Sequence, residues 1–136
     1  MDRLAGSGAN KEMASGLATL PVTARLAWLA CRTLAAVVTV PIAEELAFRG
    51  FLIRRLISVN FDSLGLRSFT WLSLLGSSLA FGFMHGGRWV AGTVAGLLYA
   101  AVLLRRGRIG DAVAAHATTN ALLAAWVLLT GNWALW

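Results

Sequence analysis

The chain has 136 residues, of which 58% are apolar and only 13% charged, with a mean hydropathy of +0.71. That balance excludes an ordinary water-soluble domain and fits a set of membrane-spanning helices. The net charge of +6 does not point to nucleic acid, because the arginines fall in the gaps between apolar runs and not on one patterned face.

In chain order, residues 1–16 (MDRLAGSGANKEMASG) are polar, rich in Gly and Ser, and without the basic, apolar and cleavage regions of a signal peptide. They are expected to be mobile. Residues 17–136 read as one membrane domain with its motifs inside 34–130. The apolar stretch 17–31 is short and interrupted by Pro21 and Arg25, so it is an interfacial helix or the remnant of a span. The single cysteine, Cys31, rules out an internal disulfide and reads as a small apolar core residue. Residues 34–57 are enough to cross a hydrocarbon core of about 30 Å, with Glu44 and Glu45 near mid-depth and Arg54 and Arg55 able to snorkel to the interface. Residues 69–85, 89–104 and 110–130 supply three further helices. Trp71, Trp89, Trp133 and Trp136 fall at or near predicted ends as interfacial anchors. The expected fold is all-α, a polytopic transmembrane helix bundle with the active-site cavity within the membrane and no internal repeat. Arg54, Arg55 and Arg67 mark one loop and Arg105, Arg106 and Arg108 another, both on one side, which the positive-inside rule makes cytoplasmic. Arg88, on the opposite side, runs against that trend.

Within the apolar runs stand a few polar residues: Glu44, Glu45 and Arg49; His85; His116 and Asn120. An ionisable group at mid-bilayer costs roughly 2.5 to 3.5 kcal/mol on insertion scales, and is read as functional by default. Glu45 and Arg49 are four apart with the acid first, the favourable order for a helical ion pair. Glu44 is rotated by about 100° from Glu45, and its own four-apart neighbour is Phe48. Glu44 is thus the carboxylate left to take a proton from water. Phe81 shares a face with His85, whose backbone is kept uncrowded by Gly82, Gly86 and Gly87. His116 shares a face with Asn120, so one helix can present an imidazole and an amide donor to a developing oxyanion. Each residue also has a purely structural reading. Glu45 with Arg49 can be an ion pair alone, His85 an interhelical hydrogen-bonding group, and Asn120 polar glue between helices. Gly92 with Gly96 makes a packing face in any case.

These residues resemble the CPBP intramembrane proteases, the Abi family that includes type II CAAX prenyl proteases and bacteriocin-processing or self-immunity proteins. The family's three motifs, EExxxR, FxxxH and HxxxN or HxxxD, stand here in order as Glu44 to Arg49, Phe81 to His85 and His116 to Asn120. The tail around Gly131, Asn132 and Trp133 resembles the CAAX-protease-related members associated with exosortase-type sorting systems. The resemblance implies an endopeptidase acting on a membrane-associated or prenylated protein or peptide, in a bacterial cytoplasmic membrane. Glu44 and His85 would activate water while His116 and Asn120 stabilise the oxyanion, supported by Glu45, Arg49, Phe48 and Phe81. No cofactor is expected. The alternative is a zinc ion on Glu44, His85 and His116, against which stands the absence of an HExxH helix. Relatives carry further helices before the first motif, whereas about 33 residues precede Leu34 here, less than two spans at ~20 residues each.

A non-catalytic immunity or scaffold protein would keep this fold and tolerate loss of Glu44 or His85. A proton-coupled carrier could also use buried Glu and His, but should carry repeats, and none is visible. Depth sets a geometric condition on a shared site. With straight helices at 1.5 Å per residue, His116 lies about 9 Å and His85 about 24 Å from the same side. Bringing them together needs tilt, a helix whose first turns stay outside the hydrocarbon, or a chain break at Gly86 and Gly87.

Overall fold

The computed structural model describes residues 2–136, and every regular element among them is helical. We number the helices α1 (Asp2–Thr19), α2 (Val22–Arg55), α3 (Trp71–Phe83), α4 (Trp89–Arg106) and α5 (Ile109–Thr130). Among the described residues, three helical runs are long and apolar enough to span a bilayer: Val22–Arg55, Gly86–Arg106 and Ile109–Thr130. The protein is therefore an integral membrane protein with three spanning helices. The chain divides into two compact units, Met1–Thr39 with Thr118–Trp136, and Val40–Ala117.

Several expectations are corrected. Asp2–Thr19 forms helix α1, an element that the polar composition of the N-terminus did not announce. The apolar segment 17–31 and the span 34–57 are not separate, since a single helical run covers Val22–Arg55. Pro21 breaks the chain just ahead of it, at the N-cap, where a proline's missing N–H costs nothing. Cys31 is exposed on α2 and not in a core. The helix expected over 69–85 is cut to Trp71–Phe83, and 13 residues rise about 20 Å, short of a full crossing. Its start is fixed by a capping box in which the Thr70 hydroxyl accepts from the Ser73 N–H and the Ser73 hydroxyl accepts from the Thr70 N–H.

In the first unit, α2 is wound as π-helix over Ala35–Thr39, just ahead of Pro41. In a π turn the N–H of residue i serves the carbonyl of i−5, and Pro41 has no N–H. The Ala36 carbonyl is thereby left for another donor, and Asn120 Nδ2 donates to it at 2.8 Å.

In the second unit, α3 packs on α4 through small residues. A Cβ on Gly82 would come within 2.0 Å of Thr93 Oγ1 and 2.5 Å of the Trp89 carbonyl oxygen, while one on Gly92 would lie 3.0 Å from Gly82 Cα. Backbones this close leave no room for a methyl group, which is how small residues drive helix association in lipid. Gly82→Ala should therefore lower stability by about 3 kcal/mol, the upper range of overpacking. Thermal unfolding in detergent checks this, with the exposed Leu72→Ala as the neutral comparison. The break between α3 and α4 falls at the glycines, one of the three routes that could bring the histidines together: Gly86 has φ 56 and opens a 3-10 turn, Gly86–Arg88. At the other end of the unit, Arg54 does not snorkel outward. Its guanidinium folds back, with Nε donating to Gly50 O at 2.7 Å and Nη1 to Leu64 O at 3.0 Å. Arg67 Nη2 donates to Arg106 O at 3.2 Å, so the two basic loops do meet at one end.

Candidate active site

The site is built on three aromatic rings. Phe48, Phe81 and Tyr99 form the buried apolar cluster of the second unit, with Phe81 set edge-on to Phe48 at 5.2 Å and to Tyr99 at 6.1 Å between ring centroids. The Arg49 guanidinium lies 4.3 Å above the Phe81 ring centroid and 5.4 Å from that of Tyr99. Its Nη2 donates to Gly96 O at 2.9 Å. Such a cation, 2% exposed, is tolerable in an apolar interior only because rings, a carbonyl and a carboxylate surround it.

That carboxylate is Glu45, fully buried, with Oε1 3.1 Å from Arg49 Nη1. The i, i+4 ion pair expected from spacing is present. The same Oε1 also accepts from His116 Nδ1 at 2.9 Å, a link between residues 71 apart in the chain. Since a carboxylate only accepts, the Nδ1 proton belongs to His116, and the ring's other nitrogen faces away from Glu45. That nitrogen, Nε2, lies 3.8 Å from Glu44 Oε2. Glu44 Oε2 is buried and has no hydrogen-bond partner. His116 is thus set between the two adjacent carboxylates, bonded to one and facing the other. A π-wound stretch, Leu46–Leu52, follows them directly and carries Phe48 and Arg49, a local irregularity often found at functional sites.

His85 sits at the end of α3, where its Nδ1 donates to Phe81 O at 2.8 Å, an i, i+4 bond within the FxxxH motif. In the neutral ring this leaves Nε2 as an acceptor. Gly92 makes room for it, since a Cβ there would lie 3.1 Å from the imidazole. His85 and His116 both pack on Phe81, at 4.8 and 5.6 Å between centroids, so the separation foreseen for straight helices does not arise. Tyr99 stacks on His116 at 4.6 Å and 15°, a contact that sequence reasoning did not foresee. The signal was present in α4, where Tyr99 falls seven residues after Gly92 and three after Gly96, on the same helical face.

Of the residues singled out from sequence, the second unit brings together Glu44, Glu45, Phe48, Arg49, Phe81, His85 and His116. Asn120 belongs to the first unit, where its amide holds the Ala36 carbonyl. Asn120→Ala should cost about 1 kcal/mol by loss of that bond, within the range for interhelical hydrogen bonds in membranes. Unfolding in detergent measures the loss. A kcat lowered about a hundredfold or more would instead mark Asn120 as an oxyanion donor. Among the described residues no group of three or more His, Cys, Asp and Glu is placed to hold a metal ion. The alternative zinc set of Glu44, His85 and His116 is therefore not assembled as a ligand cluster.

The fold and site together define a polytopic α-helical membrane protein with a buried Glu–His pair of the kind a glutamate-dependent protease needs. Over residues 26–122, most of its length, the chain matches the model for type II CAAX prenyl endopeptidase Rce1-like proteins, and it belongs to that family. No curated protein and no solved structure matches it at a significant level.

Proposed function

We propose that the protein is an intramembrane endopeptidase that hydrolyses a peptide bond of a membrane-associated, CAAX-type protein or peptide, using water activated by glutamate and histidine without a metal. The observation that carries this is the unpartnered, buried Glu44 Oε2 facing His116 Nε2 at 3.8 Å. That gap is too long for a direct hydrogen bond and suits a water within reach of both groups. Glu44 takes a proton from this water as its oxygen attacks the carbonyl carbon, and returns it to the amide nitrogen as the C–N bond breaks. His85 Nε2 is a second acceptor that orients the water. With a second proton on Nε2 besides the one on Nδ1, the His116 imidazolium can donate to the oxyanion. Glu45 and Arg49 do not touch the reacting atoms. They fix the His116 ring through Nδ1, much as a buried acid orients the base of a hydrolytic triad.

A bacterial cytoplasmic membrane with the basic loops inward is the setting this reading implies. The experiment is cleavage of a fluorogenic peptide ending in a CAAX sequence, with and without a farnesyl group, by purified protein in liposomes. Cleavage of the farnesylated peptide that survives a chelator is the expected result. Chelator-sensitive cleavage would overturn the metal-free mechanism. No cleavage of any membrane-bound peptide by folded protein would favour a scaffold that binds without hydrolysing.

A further inference from the structure

The first unit holds two adjoining hollows, neither of which contains Glu44, His85 or His116. One is an open apolar groove of about 760 Å³ between the N-terminal part of α2, at Leu26 and Leu34, and the C-terminal part of α5, at Ala121 and Ala125. The other, about 320 Å³, shares Leu29 and Leu128 with the groove and adds Arg25 and Trp133. Among the described residues, Arg25 is the single charged residue lining either hollow.

We propose that this continuous surface binds one anionic phospholipid, with an acyl chain along the groove and the headgroup phosphate on Arg25. Charge and depth both favour that occupant. Arg25 lies in the first turn of the spanning run Val22–Arg55, where a headgroup phosphate would stand. The aromatic belt of the same unit lies at this level. Trp28 meets Trp136 edge-on at 6.4 Å, and the Arg32 guanidinium lies 5.7 and 5.4 Å from their centroids. Arg32 is thus taken up by rings. Among the described residues the Arg25 guanidinium has no ion-pair partner. A half-buried cation beside an apolar trough matches a molecule with an anionic head and a long apolar tail, whereas a free anion would leave the trough unused.

The test is native mass spectrometry of the full chain in detergent after lipid removal. It is titrated with phosphatidylglycerol and with phosphatidylcholine of identical acyl chains, with inorganic phosphate as competitor. One phosphatidylglycerol should be retained about fivefold more tightly than phosphatidylcholine, the preference one arginine at the surface supports. Arg25→Gln should abolish that preference, and Ala121→Trp, which fills the groove, should weaken retention of both lipids. Equal retention of the two lipids by the wild type would overturn the proposal without reference to any variant. So would a preference that survives in Arg25→Gln. Displacement of phosphatidylglycerol by millimolar phosphate would show an anion site with no lipid specificity, and would overturn it too.

Discussion

Glu44→Gln is expected to lower kcat by about a thousandfold while leaving the protein folded, the loss seen when a positioned general base is removed. Glutamine keeps the shape of the side chain but cannot accept the proton of an attacking water. Folding should not suffer, because Glu44 Oε2 makes no hydrogen bond that the amide would break. The neighbouring substitution, Glu45→Gln, should behave in the opposite order. Its Oε1 holds both Arg49 and His116, so its loss should lower the unfolding temperature first and reduce activity through misplacement of the His116 ring. Peptide cleavage and thermal unfolding measured on both variants separate the two carboxylates. Equal effects of the two substitutions on activity and on stability would remove the distinction drawn here between base and anchor.

Arg49→Ala should be the most destabilising substitution in the second unit, by about 3–5 kcal/mol, because it leaves Glu45 as a buried charge without its ion-pair partner. It also removes the guanidinium from the Phe81 and Tyr99 rings and its bond to the Gly96 carbonyl. Removing both charges together tests the cause. In Glu45→Gln/Arg49→Met the volume is nearly kept and no charge is stranded, so the double variant should recover at least half the lost stability. Unfolding by heat or SDS, followed by tryptophan fluorescence, reads the difference. If the double variant is no more stable than Arg49→Ala, the guanidinium acts through packing and not through charge.

What the sequence made legible was local. Hydropathy located the helical segments, and the four-residue rule found the Glu45–Arg49 pair and the alignment of Phe81 with His85, because both relations sit within one helical turn. It could not show that His116, 71 residues from Glu45, closes on the same carboxylate oxygen, since nothing periodic links the two positions. Assigning Glu45 to Arg49 alone therefore missed its second partner. Helix ends were also hidden. Pro41 has no N–H to give, but a π turn with Asn120 on the Ala36 carbonyl absorbs the missing donor, and the run continues to Arg55. Thr70 and Ser73 shortened α3 by a capping box that hydropathy does not register. Arg54 was read as a snorkelling side chain because its charge was visible and the loop carbonyls it returns to were not.

The central claim is that Glu44 and His116 act as one unit in the hydrolytic step, the first on the attacking water and the second on the oxyanion. The direct measurement is kcat for farnesylated-peptide cleavage in liposomes by wild type, Glu44→Gln, His116→Gln and the double variant, each verified as folded. Groups that act together on one step are not additive, so the double variant should be no slower than the slower single, with losses near a thousandfold throughout. Losses that multiply in the double variant, or a Glu44→Gln enzyme close to wild-type activity, would contradict it.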